Sequence, residues 1–263
     1  MQELSFPTSF SITSILATTR SYLALHPEID NVLLSGGDPG LLPTKMLAMV
    51  FEKLSAAGVP LVRLATKELA FDPARFLDQE FLTLLSSLPM RPVVIAHYSH
   101  PAEFSSTSRA ALQALRSAGV QVYGQPFLQR GVNDDSLVLR DLFSTMVENG
   151  VVPYYLSAFM PVRGVEQYAL PLREAMSLVT QARRHLNGLA KKCVFIAPHD
   201  WGKFELLGVD EEFLYGRWHQ RAMDAPAVFG AEEVLRLHCS STVYCLDHLF
   251  AENNLPHIAL ARQ

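Results

Sequence analysis

The residues of this 263-residue chain that could do chemistry fall in a few short stretches. The first is Ser35-Gly36-Gly37-Asp38-Pro39. Two adjacent glycines let the backbone approach a ligand closely. A carboxylate beside exposed backbone carbonyls suits an ammonium group. Pro39 blocks further strand pairing. The bland alternative is an ordinary turn between a strand and a helix. The second stretch is His97-Tyr98-Ser99-His100. Two histidines at that spacing could share a metal, but no third ligand of the usual kind adjoins them. In Asn133-Asp134-Asp135 a cation site competes with a helix cap, and the cap is the commoner use of such residues. Lys203 follows Pro198-His199-Asp200-Trp201-Gly202. It could form a Schiff base with a cofactor aldehyde, although most lysines are simply solvated. The three cysteines, Cys193, Cys239 and Cys245, form no C-x-x-C pair and read as buried thiols.

Composition narrows the function classes. Hydrophobic residues make up 49% of the chain, which marks a globular protein. A net charge of −4 gives no reason to expect nucleic acid or an acidic membrane surface as partner. No apolar run is long enough to span a bilayer, and the N-terminus lacks a signal-peptide pattern. An odd cysteine count without an export signal points to a reducing, cytoplasmic setting with free thiols, and the expected partner is a small-molecule substrate.

The elements that must position these residues repeat about every thirty residues. Helical spacing over 12–26 precedes the apolar run Val32-Leu33-Leu34, which predicts a strand over 31–35 buried on both faces. Helices are expected from Pro43 to Gly58, near 78–87, over 106–118 and from Asp135 to Gly150. Strands are expected at 60–66, 92–97, 120–125 and 151–157. The junctions Gly58-Val59, Gly119-Val120 and Gly150-Val151 read alike: glycine ends the helix and valine starts the strand. Such βαβ units build a parallel sheet, open or curled into a barrel. Asp38, Lys67, His97, Gln125, Tyr154 and Tyr155 all stand where a strand stops, which is where such folds place ligands. Each unit should open with a strand, yet residues 1–11 before the first helix read as a loop, so a first strand is missing. After Ser157 the beat changes. A helix over 171–187, ending at Gly188, leads to strand-like pieces at 193–197, 204–207, 213–218, 234–238 and 242–246. The expected fold class is therefore α/β, a partial (β/α) TIM-like barrel over 1–188 with a small β-rich extension over 189–263.

Taken together, these stretches resemble the lysine 2,3-aminomutase family of radical S-adenosylmethionine proteins. Leu33-Leu-Ser-Gly-Gly-Asp-Pro39 resembles the family's glycine-glycine-aspartate motif, and His97-Tyr-Ser-His-Pro-Ala-Glu103 its histidine-rich strand end. Gln125-Pro-Phe-Leu-Gln-Arg-Gly-Val-Asn-Asp-Asp135 and Pro153-Tyr-Tyr-Leu156 match further, in order, from about residue 20 to 157. The resemblance implies a partial barrel at whose mouth a 4Fe-4S cluster reduces S-adenosylmethionine to a 5′-deoxyadenosyl radical. It implies that Gly36, Gly37 and Asp38 meet the methionine amino group and that Gln125 contacts the same cofactor. Lys67, His97, His100, Tyr154 and Tyr155 become candidates for substrate or cofactor contacts. Lys203 falls roughly where the aminomutases hold pyridoxal phosphate.

The departures are as informative. The family holds its cluster with Cys-x-x-x-Cys-x-x-Cys, and this chain has no such spacing, hence no metal ligands of its own. That absence coincides with the missing first strand. His199-Asp-Trp-Gly202 replaces the glycine-rich run before the aminomutase lysine, and Phe159, Met160 and Ile196 stand where lysine aminomutases use aspartates. Lysine is therefore a poor candidate substrate. Three readings stay open. One is an N-terminally truncated radical enzyme abstracting hydrogen from an amino-acid-like substrate. Another is a non-catalytic descendant that binds a small ligand. The third is one subunit of a split enzyme whose cysteine-bearing strand comes from another chain; a homo-oligomer is a separate open expectation.

Overall fold

A computed structural model describes residues 12–222 and 233–256, with side chains from residue 18 onward. The loop expected over residues 1–11 lies outside these. The chain runs α1 (Ile12–Leu25), β1 (Asn31–Leu34), α2 (Thr44–Ala56), β2 (Leu61–Thr66), α3 (Glu68–Phe71), α4 (Gln79–Ser87), β3 (Arg91–Ala96), α5 (Ser106–Ser117), β4 (Gln121–Gly124) and β5 (Phe127–Leu128). It continues α6 (Ser136–Glu148), β6 (Val151–Pro153), β7 (Tyr155–Ala158), α7 (Leu172–Arg184), β8 (Val194–His199), β9 (Gly202–Val209), β10 (Phe213–Arg221), β11 (Leu235–His238) and α8 (Leu246–Glu252). The βα beat is present, and the fold is α/β with parallel strand pairing. Gly58, Gly119 and Gly150 take φ of 78°, 77° and 74°, the left-handed closure expected of them. No helix among the described residues is long and apolar enough to cross a membrane.

The chain divides into two compact units. The first comprises Met1–Ile95 and Ala110–Val122. It orders its strands β1-β2-β3-β4, and β1 pairs with β2 in parallel, Asn31 opposite Leu61 and Leu34 opposite Leu64. α2 buries Leu47, Val50, Phe51 and Leu54, a stripe at helical spacing. Phe76 and Phe81 pack edge to face with ring centres 5.5 Å apart. Each such buried side chain contributes about 1.5–3 kcal/mol. The expectation that β1 is buried on both faces fails. Leu33 is 43% exposed, because β1 stands at the end of its sheet and pairs, among the described residues, with β2 alone.

The second unit comprises Ala96–Arg109 and Tyr123–Gln263. Its sheet has the order β11-β10-β9-β8-β7-β5. The pairs β5–β7 and β7–β8 are parallel, and β8–β9, β9–β10 and β10–β11 antiparallel. α6 buries Leu139, Leu142, Phe143 and Met146, and Asp135 caps it by accepting from the Leu137 and Val138 N–H groups. Three sequence expectations need correcting here. The strand foreseen over 151–157 is two strands, because Pro153 has no N–H and Tyr154 turns its groups elsewhere. Its N–H donates to the Gly124 carbonyl and its own carbonyl accepts from the Val194 N–H. α7 stops at Arg184, short of Gly188. The Asn187 side chain accepts from the Leu189 and Ala190 N–H groups and makes a local turn instead. The strand foreseen over 242–246 is absent, since the Val243 carbonyl accepts from the Leu172 N–H at the start of α7 and the chain then enters α8.

Candidate functional site

In the first unit, the loop after β1 carries Gly36, Gly37 and Asp38. Gly36 has φ of 113°, a conformation that other residues rarely adopt. Ser35, Gly36 and Gly37 are exposed. Among the described residues no backbone hydrogen bond engages Gly36 or Gly37, and a Cβ at either would meet nothing within 4 Å. The loop thus offers bare backbone donors and acceptors to whatever approaches. Asp38 fixes the base of this loop. Its Oδ1 accepts from the Gly40 N–H at 2.8 Å and its Oδ2 from the Lys67 N–H at 2.6 Å. The second bond ties the end of β1 to the end of β2. A carboxylate oxygen accepts more than one hydrogen bond, so the side chain keeps acceptor capacity. Beside it lies Glu68, 7% exposed, whose carboxyl is raised above the usual carboxylate range, first by burial and then by the charges of Asp38 and Asp72. Lys67 contributes its backbone to Asp38, and its ammonium lies 5.0 Å from the centre of the Phe71 ring.

In the second unit, His97 and Gln125 meet at the ends of β3 and β4. The Gln125 carbonyl can only accept, so the His97 Nδ1 at 2.8 Å carries a proton. The His97 ring stacks on Phe127, with centres 6.0 Å apart. The Gln125 N–H donates to the Ala96 carbonyl, while its half-buried side-chain amide bonds to no described residue. Asn133, fully buried, holds this region together. It donates to the Ser99 and Phe127 carbonyls and accepts from the Gln129 N–H. His100 is a cap, accepting from the Ala102 N–H through Nδ1, while Glu103 accepts from the Ser99 N–H at 2.6 Å. Tyr154 and Tyr155 lie ring against ring, 3.8 Å between centres. Tyr155 Oη pairs with His219 Nε2 at 2.8 Å. Lys203 Nζ sits 4.7 Å from the Tyr155 ring centre and donates to Gln220 Oε1 at 2.8 Å.

Gly36, Gly37, Asp38 and Lys67 therefore belong to one unit, and Gln125, His97, His100, Tyr154, Tyr155 and Lys203 to the other. Sequence reading missed the structural roles of five residues: Arg75, Asn133, His219, His199 and Asp247. His199 Nδ1 accepts from the Trp201 N–H, so its Nε2–H donates to Asp247 Oδ1 at 3.2 Å. Only Asn133 had a local signal, as a neighbour of the Asp135 cap; the other partners are far apart in sequence.

Burial pushes the Cys193 thiol up to about 12 and the Cys239 thiol up to about 11, and raises Cys245 as well. Among the described residues no group of three or more His, Cys, Asp or Glu side chains is placed to hold a metal ion. Lys203 offers an amine beside an aromatic ring, with Gln220 Oε1 accepting a hydrogen bond from it.

The chain is similar to known proteins. A protein of Aquifex aeolicus (strain VF5) named "Putative L-lysine 2,3-aminomutase" is 33% identical over 207 residues, 76% of this chain and 55% of that protein. The chain is a relative of the lysine 2,3-aminomutase family. The "Glutamate 2,3-aminomutase" of Clostridioides difficile (strain 630) is 30% identical over 197 residues, 74% of this chain and 46% of its own. The chain spans about half the length of the curated relatives it matches. No family model matches it. The radical S-adenosylmethionine methyltransferase TsrM from Kitasatospora setae, solved with cobalamin and a 4Fe-4S cluster bound, aligns over 56% of this chain and 30% of its own, with 14% identity and a TM-score of 0.40.

Proposed function

We propose that this relative of the aminomutases is a radical S-adenosylmethionine protein whose Gly36–Asp38 loop receives the methionine end of S-adenosylmethionine. One observation carries the reading: an exposed backbone at Gly36 and Gly37, without hydrogen bonds among the described residues and held from below by Asp38. An ammonium group would find the loop carbonyls and the spare acceptor capacity of the Asp38 carboxylate. In the other unit Gln125, with an uncommitted amide among the described residues, is proposed separately as a cofactor contact, and His97, His100, Tyr154 and Tyr155 as substrate or cofactor contacts; Lys67 is proposed likewise in the first unit. Of these, His100 has the weakest claim, since its ring caps a turn.

The proposed reaction is hydrogen abstraction from an amino-acid-like substrate. When bound, S-adenosylmethionine and an iron–sulfur cluster supply the radical chemistry; the residues of this chain bind and orient. The proposed architecture is a partial barrel over 1–188 with a β-rich extension over 189–263. Pyridoxal phosphate on Lys203 is a further proposal, and Lys203→Ala leaving the absorbance of bound cofactor intact would remove it.

In a second reading this chain binds S-adenosylmethionine or a similar ligand without holding the cluster itself. Equilibrium dialysis with labelled S-adenosylmethionine tests what the two readings share. Binding that Gly37→Val abolishes supports them. A folded chain that retains no label at roughly 1 mM, an affinity too weak for a working cofactor site, refutes them.

A further inference from the structure

The loop that offers Gly36 and Gly37 is held by more than Asp38. Downstream of it the backbone passes Gly40 and Leu42 and enters α2 at Thr44. Arg75, on the short turn between α3 and α4, reaches all three. Its Nε donates to the Gly40 carbonyl at 3.3 Å, its Nη2 to the Leu42 carbonyl at 3.1 Å and its Nη1 to Thr44 Oγ1 at 2.9 Å. The guanidinium lies 4.1 Å from the centre of the Phe81 ring, which is itself fully buried. Every nitrogen of the guanidinium is thus spent on one short segment, 38–44, and the plane is set by an aromatic floor. A lysine could not reproduce this, since its ammonium is a point donor without a plane. Gly40 is also closely packed. A Cβ there would come within 2.6 Å of Thr66 Oγ1 and 3.0 Å of Asp38 Oδ1. The segment is therefore held by both the end of β2 and Arg75.

We propose that Arg75 is a positioning residue for the ligand loop: by fixing Gly40, Leu42 and Thr44 it holds Gly36–Asp38 in a binding-ready shape. Its ligand half rests on the S-adenosylmethionine reading above. Binding to a loop that is already ordered avoids the entropy of ordering it, so loss of the grip weakens affinity without removing any ligand contact.

The test uses the whole 263-residue chain with Arg75→Lys, Arg75→Met and Gly40→Ala. Hydrogen exchange read by mass spectrometry reports the loop directly and needs no ligand. The Gly40, Leu41 and Leu42 amides are expected to exchange about tenfold faster in both Arg75 variants while β1 and β2 stay protected. S-adenosylmethionine should bind about tenfold more weakly at a temperature where the variants are fully folded, beside the lower thermal midpoint that the lost hydrogen bonds bring. A merely structural role would lower the midpoint and leave affinity alone once the chain is folded. Unaltered exchange over 38–44 in Arg75→Met overturns the inference outright. Faster exchange with unchanged affinity overturns its ligand half. Wild type that binds no S-adenosylmethionine overturns the reading of the site and the ligand half with it, while the exchange result still decides whether Arg75 holds the loop. Gly40→Ala should mimic the Arg75 variants by displacing the segment.

Discussion

Replacing Asp38 by asparagine separates its mechanical role from its charge. Its two oxygens each accept a backbone N–H, from Gly40 at 2.8 Å and Lys67 at 2.6 Å. Hydrogen bonds to an ionised group are worth about 1.5–3 kcal/mol each. The amide in Asp38→Asn would keep one acceptor and turn an NH2 group towards the other donor, so one bond is lost and a donor faces a donor. The loss is about 2 kcal/mol. Relief of repulsion with the neighbouring Glu68 returns roughly 0.5 kcal/mol for a partly solvated pair. The net cost is about 1.5 kcal/mol, a fall in thermal midpoint of about 3–6 °C for a chain of this size. Asp38→Ala loses both bonds and should cost more. Urea denaturation followed by circular dichroism measures both variants, provided the transition is two-state. An Asp38→Asn chain as stable as wild type, with the Lys67 amide still protected, would refute the claim that Asp38 ties β1 to β2.

Other perturbations follow from the same geometry. Gly36→Ala forces a side chain into φ of 113° and should cost about 1–2 kcal/mol, whereas Gly37→Ala should leave stability alone and weaken ligand binding; denaturation and dialysis on both variants separate the two. The Glu68 carboxyl titrates above its unfolded range, so its contribution is present at low pH and is lost as pH rises through the folded value. Glu68→Gln should therefore be more stable than wild type at neutral pH, the gap closing below about pH 4, and a gap independent of pH would contradict the assignment. The three raised thiols should alkylate slowly in the folded chain at neutral pH and promptly on unfolding, as counted by intact mass.

The βα rhythm was legible because glycine closures and apolar runs are local signals, and Gly58, Gly119 and Gly150 behave as such signals should. The loop at Gly36–Asp38 was legible for the same reason. What failed depended on distant partners. Leu33 reads as buried but stands on a strand at the end of its sheet. The run 151–157 breaks at Tyr154 because Gly124 and Val194 claim its backbone, and the residues 242–246 are claimed by Leu172. The roles of Asp38 and Arg75 were hidden in the same way. Nothing local to Asp38 shows that its oxygens also accept from backbone N–H groups 2 and 29 residues away. Arg75 carries no motif, and its partners lie 31–35 residues upstream.

The central claim is that S-adenosylmethionine meets the bare backbone of Gly36 and Gly37. Titrating the ligand into 15N-labelled chain and following the amide resonances tests it most directly. The account predicts saturable shifts that are largest at Gly36 and Gly37. Saturable binding whose shifts fall elsewhere, or a folded chain whose spectrum ignores the ligand, would contradict it.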